Sequence, residues 1–186
     1  MVDILFDISY LCIAALQNGF LLRGAIVCDK VFHRERKIFG PALVKAYEME
    51  SKKAIYPRII LDDGIIDIAR EHHSRSHSPD WEVDFIKEGM IMQDSDGLYF
   101  IDYFYKILSE LDDYYSYLAY LDRLRKIIIE GLKTKKRIKK KYLWMKKKYN
   151  FTIAKHKNDY KSGLNKGHIM AECPEWYDYF KKIKKL

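Results

Sequence analysis

"GFLLRGAIVCDKVFHRERKIFGPALVKAYEMESKKAIYPRIILDD" runs from Gly19 to Asp63, and the way it divides decides the fold. Phe20 to Phe32 is dense in β-forming residues and reads as a strand, with Gly24 a costly guest. His33 to Lys37, "HRERK", reads as a charged hairpin tip, after which Ile38-Phe39 restarts a strand. Gly40-Pro41 turns that strand into a helix, because a proline's missing N–H has no partner in a first helical turn anyway. Leu43, Ala46, Tyr47 and Glu50 then recur at helical spacing. Pro57 holds Tyr56 extended and leads into a short strand, "YPRIILDD". The stretch therefore predicts a hairpin, a helix and a returning strand.

Working outward, Ile4, Leu5, Ile8, Leu11, Cys12, Ala15 and Leu16 mark a helix over residues 4–17 with one buried face, stopped by Asn18-Gly19. Asp63 is placed to cap a helix, "GIIDIAREHH". The cluster "SRSHSPD" reads as a loop. "MIMQ" and "LYFIDYF" read as strands around a "DSDG" turn. From Tyr103 to about Lys148 the pattern is one long helical stretch, broken near Gly131. The lysine-rich remainder carries "PEWYDYF", suited to a short terminal helix. These elements predict an α+β sandwich, with a mostly antiparallel sheet, helices on one face and a long C-terminal helical region. The division is residues 1–102, a helical extension over 103–150, and a basic tail over 151–186.

A chain of 186 residues with 48% apolar content is sized for one domain with an appendage. No apolar run reaches the roughly 18 residues of a membrane span. Three cysteines, Cys12, Cys28 and Cys173, are too sparse and odd in number for a disulfide framework and fit a reducing cytoplasm. The net charge of +8 is unevenly spread. Residues 1–120 hold 13 Lys/Arg against 20 Asp/Glu, a balance of −7, and residues 121–186 hold 21 against 6, a balance of +15. A basic back half suits phosphate backbones, anionic lipid, or an acidic surface of its own chain or a partner.

Two motifs carry a resemblance. Arg23-Gly24-Ala25-Ile26 and the run from Phe39 to Glu48, "FGPALVKAYE", followed by "A.YPRI", resemble the class III nucleotide cyclase homology domain. The match is nearest the bacterial Pycsar-type pyrimidine cyclases, which favour "F-G-P-A-L…A-Y-E-x-E…A-x-Y-P-R-I". "DSDGLYFIDYF" and "KYLWMKKKYN" are similar to the late hairpin and helix end of that branch. The resemblance covers about residues 4–150, and no single motif is diagnostic alone.

The resemblance implies a partial cyclase-like, ferredoxin-like sandwich and a homodimer with sites between subunits. It implies formation of a 3′,5′-cyclic mononucleotide, cCMP or cUMP, and pyrophosphate from CTP or UTP, in antiphage signalling. In that chemistry the 3′-hydroxyl attacks the α-phosphorus, and two Mn²⁺ or Mg²⁺ ions held by carboxylates neutralise the phosphates. The family's two metal aspartates stand before the helix that precedes the "RG" strand. Asp7 stands too near Gly19 to be one of them, so this chain is expected to hold no metal and to be inactive alone. A truncated reading frame, a fragment or a degenerate paralogue would each account for that. The family's transition-state asparagine and arginine fall on Val44 and Glu48, which cannot do that chemistry. Its glycine after the first strand falls on Asp29.

Catalytic residues are therefore unassigned. Arg23, Asp29, Lys45 and Arg58 are the candidates for phosphate or base contact. Against that, Arg23 and Lys45 suit solvated faces, Asp29 an exposed turn, and Arg58 an ion pair with a helix acid. His72, His73 and His77 lack the paired spacing of a zinc site, and "DSDG" lacks the glutamate of a calcium loop. The rival function is a non-enzymatic adaptor binding nucleic acid through residues 133–149. There Lys139, Lys140 and Lys141 would track phosphates and Trp144 would stack on a base. A solvated helix end with a buried Trp144 is the plainer alternative.

Overall fold

The computed structural model describes residues 1–111, 113–163 and 166–186, without the side chains of 109, 110 and 166–168. The chain is α+β and forms two compact units, residues 1–15 with 20–106 and residues 16–19 with 107–186.

The first unit follows helix α1 (Val2–Gln17) with strands β1 (Gly24–Ile26), β2 (Phe32–Arg34) and β3 (Lys37–Phe39), then helix α2 (Pro41–Lys52) and strand β4 (Ile59–Leu61). The single strand expected over 20–32 is two. β1 joins a four-stranded sheet, whereas β2 pairs with β3 in a separate two-stranded sheet. Between them the Asp29 carboxylate accepts the Lys30 N–H at 2.7 Å. Such a local bond competes with the ladder and turns the chain.

β1 and β4 are parallel, with Gly24 beside Ile59 and Ile26 beside Leu61. Parallel neighbours need a crossover, which the β2–β3 hairpin and α2 supply, α2 packing on both strands. The mostly antiparallel expectation holds elsewhere. β4 pairs antiparallel with β6 (Tyr99–Ile101), and β6 with β5 (Ile91–Gln93), giving the order β1-β4-β6-β5. The "DSDG" turn closes the β5–β6 hairpin: the Asp94 N–H donates to the Leu98 carbonyl and the Gly97 N–H to that of Asp94, both at 3.0 Å. Gly97 takes φ 83°, which favours glycine.

Between β4 and β5 stand two helices where the sequence pattern shows one. α3 (Ile65–Glu71) starts from Gly64 with no side-chain cap, so Asp63 does not play that part. α4 (Pro79–Gly89) occupies the end of the expected loop and the residues after it. Ser78 caps it by accepting the Trp81 N–H at 3.2 Å, and Pro79 fills the first position. Ile60, Phe100, Ile101 and Ile86 are among its unit's buried residues.

The helix expected from Tyr103 starts later. The Asp102 carboxylate accepts the N–H groups of Phe104 and Tyr105 at 3.0 and 3.2 Å, favouring a turn, and a 3₁₀ segment follows over Lys106–Glu110. In the second unit Asp113 caps α5 (Tyr114–Leu132), accepting from the Ser116 N–H at 2.6 Å. The chain breaks just after Gly131, as expected, and returns as α6 (Lys136–Ser162), which runs through Asn150 without a stop. Contacts of Tyr117 with His156 and of Gly131 with Tyr142 make the two helices antiparallel. α7 (Lys166–Glu172) and α8 (Glu175–Lys182) follow, α8 packing on α5 and α6. Leu121, Leu124, Ile128, Met145, Tyr149, Ile153, Trp176 and Phe180 are buried. Among the described residues no helix is long and apolar enough to cross a membrane.

Candidate functional site

The four phosphate-contact candidates fall at opposite ends of the parallel pair. Arg23 immediately precedes β1 and Arg58 immediately precedes β4, the Gly24 N–H donating to the Arg58 carbonyl at 3.3 Å. Asp29 follows β1, and Lys45 reaches from α2 to Asp62, the residue after β4. The structure thus groups Asp29 with Lys45, and sets Arg23 and Arg58 apart from them.

At the carboxyl end of the pair, the Asp62 N–H continues the ladder by donating to the Ile26 carbonyl at 2.9 Å. The Lys45 ammonium donates to the Asp62 carboxylate, and this hydrogen bond raises the Lys45 pKa. Desolvation opposes the rise, and the charges of Asp62, Asp29 and Asp63 add to it. The start of α2 is stitched to the same edge. The Ala42 N–H donates to the Lys30 carbonyl at 3.2 Å, and Gly40 sits so close that a Cβ would lie 2.7 Å from that oxygen. Gly40 adopts φ 145° and ψ 173°, a region essentially reserved for glycine. The glycine of the "FGPAL" motif is thus required by the backbone. Gly24 is not: a Cβ there would make an ordinary 3.7 Å contact with Ile59.

At the amino end, Arg23 pairs with Glu50 of α2, the two side chains being 38% and 28% exposed. Arg58 is fully buried. It donates to Asp94 at 2.6 Å and pairs with Asp96, with its guanidinium 5.3 Å from the Tyr56 ring centroid and 5.9 Å from that of Phe100. Burial works to raise the Asp96 pKa, but the Arg58 hydrogen bond and charge, together with the hydrogen bond from the Leu98 N–H, outweigh it, and the net shift is downward. Arg58 is thus an ion-pair partner of hairpin acids, not of a helix acid. Asp62, Asp94 and Asp96 were not among the expected site residues. Their partners lie 17, 36 and 38 positions away in sequence, beyond any local pattern.

The edge does not fit a pair of divalent ions. Its best-placed carboxylate, Asp62, is taken by Lys45, and among the described residues no group of three potential ligands converges. His77 stacks on Trp81 at 3.8 Å between centroids, and His73 Nδ1 lies 3.0 Å from the Arg70 carbonyl oxygen. In the second unit Lys139, Lys140 and Lys141 are exposed, but Trp144 is 7% exposed, with Lys148 5.7 Å from its centroid. The indole is not presented beside those lysines.

No protein-family model, curated protein or solved structure significantly matches the chain.

Proposed function

We propose that this chain is the C-terminal part of a pyrimidine nucleotide cyclase of the class III type. Its substrate is CTP or UTP, and its product is a 3′,5′-cyclic mononucleotide for antiphage signalling. The observation that carries the reading is the β1–hairpin–α2–β4 unit. The residues of the "RGAI", "FGPAL" and "YPRI" motifs, scattered over more than thirty positions, build one parallel crossover that ends at Asp29, Lys45 and Asp62. Ligands of open sheets with parallel strands sit outside the carboxyl ends of those strands. Lys45 there is a cation that a triphosphate can recruit from Asp62. Arg58, locked in its buried ion pair, holds the scaffold.

The reaction joins the 3′-oxygen to the α-phosphorus, breaks the bond from that phosphorus to the bridging oxygen of the pyrophosphate, and releases the 3′-hydroxyl proton. Mn²⁺ or Mg²⁺ would supply charge neutralisation in a complete enzyme, but the residues here do not fit them. The metal carboxylates come from outside this set, and the chain by itself is inactive.

A homodimer belongs to the same reading. The β2–β3 hairpin and α2 expose Phe32, Ile38, Phe39, Val44 and Tyr47, at 46%, 52%, 59%, 63% and 72%. Phe32 and Phe39 stack at 4.7 Å between centroids, and exposed apolar side chains on these consecutive elements suit a partner surface.

Incubation with each ribonucleoside triphosphate and Mn²⁺, read by mass spectrometry, tests the proposal. This chain gives no cyclic product, and protein translated from the gene extended upstream in frame gives cCMP or cUMP with pyrophosphate. An extended protein that makes no cyclic nucleotide overturns it.

A further inference from the structure

A cavity of about 420 Å³ opens in the first unit between the start of α1, the 72–78 loop and the first turns of α4. That is the size of a small-ligand site. Phe6, Trp81 and Phe85 wall it, the Phe85 ring centroid lying 5.1 Å from that of Trp81 and 6.0 Å from that of Phe6. The one buried ionisable side chain of the lining is Glu82, 3% exposed. Its Oε2 accepts the Ser74 N–H at 2.9 Å. Its Oε1 has no hydrogen bond among the described residues, since the Met1 nitrogen, 3.7 Å away, is too far to donate one. A carboxylate held out of water with one oxygen unbonded is costly, and a donor in the cavity would relieve that cost.

The lining chooses among ligands. Its other acidic side chain is Asp3, and no lysine or arginine joins them, so an anion would meet only carboxylates. A guanidinium spends its rigid fork on two oxygens at once, and Oε2 is already committed to Ser74. A quaternary ammonium has no N–H to give Oε1. A primary ammonium has one: it is a compact charge that a single oxygen can satisfy. Its apolar body would lie against aromatic rings, which attract cations as well as bury hydrocarbon.

We propose that this cavity binds a small primary amine in its ammonium form. The ammonium donates to Glu82 Oε1, and the apolar body packs against Phe6, Trp81 and Phe85. This inference is independent of the cyclase reading and survives its failure.

Calorimetric titration of the full chain at about pH 7, where amines are charged, tests it with three compounds of similar shape. 2-Phenylethylamine binds saturably, at least about tenfold more tightly than its anionic counterpart 3-phenylpropionate or its neutral counterpart 2-phenylethanol. In Glu82→Gln the amide oxygen can still accept from the Ser74 N–H, so the loop keeps its tie while the preference for the amine falls about tenfold. Three results overturn the proposal: equal binding of the three compounds, no saturation by the amine below about 10 mM, or an undiminished preference in Glu82→Gln. Circular dichroism shows whether Glu82→Gln is folded, and the comparison of the three compounds on the unaltered chain decides the matter if it is not.

Discussion

The fully buried guanidinium of Arg58 lies 2.6 Å from the carboxylate of Asp94, tying the start of β4 to the turn of the β5–β6 hairpin. Removing one partner of a buried pair leaves the other charge uncompensated. Arg58→Ala is expected to destabilise the protein by about 3–5 kcal/mol in urea unfolding. Asp96, whose side chain is 41% exposed, matters less, and Asp96→Asn is expected to cost about 1 kcal/mol or below. If Arg58→Ala unfolds at the wild-type urea concentration, Arg58 is no scaffold residue.

Two glycines of the shared motifs make opposite predictions. Gly40→Ala places a methyl against the Lys30 carbonyl in a backbone conformation closed to alanine, at a cost of about 2 kcal/mol or more. Gly24→Ala makes only ordinary contact with Ile59 and changes stability by less than about 1 kcal/mol. Thermal melts of the two variants side by side check the contrast, and equal losses contradict it.

In the second unit, a methyl at Gly131 would fall inside the Tyr142 ring. Alanine's better helix propensity, about 1 kcal/mol, works in the other direction. Overpacking of this kind costs about 1–3 kcal/mol, so Gly131→Ala is expected to be net destabilising. Adding Tyr142→Ala to the Gly131→Ala background should then cost less than Tyr142→Ala alone. Additive losses in a double-mutant cycle argue against the contact.

His156 supplies a pH dependence. Its Nε2 lies 2.8 Å from the Tyr117 hydroxyl, among Trp176 and Phe180. Burial lowers its pKa from 6.5 to about 4, with Asp159 opposing and Lys155 adding to the shift. The folded form therefore keeps His156 neutral while the unfolded form takes up a proton below about pH 6.5. Its contribution is fully present above that pH and falls away as the pH drops towards 4, by up to about 3 kcal/mol. Urea unfolding between pH 7 and 4 should show a steeper loss for the wild type than for His156→Gln.

Much of the first unit is legible from local chemistry. Gly40-Pro41 marks the start of α2, Pro57 the entry to β4, and "DSDG" the last hairpin. α4 was hidden because Ser78 and Pro79 end a run of breakers, although the same two residues are a helix-start signal and Val83 and Ile86 follow at helical spacing. The late start of α5 turns on the side chains of Asp102 and Asp113, which a reading of apolar periodicity passes over. The site was least legible. Lys45 finds Asp62, and Arg58 finds Asp94, only after the crossover and the hairpin have folded. The burial of Trp144 inside a lysine run likewise depends on packing in the second unit.

Product analysis of the upstream-extended protein tests the nucleotide-edge account most directly. It is run with Lys45→Ala and, as a control, Lys53→Ala, whose exposed side chain lies just past the end of α2. The account predicts cCMP or cUMP from the extended protein, a loss of about tenfold or more in Lys45→Ala, and little change in Lys53→Ala. No cyclic product from the extended protein, or full activity in Lys45→Ala, would contradict it.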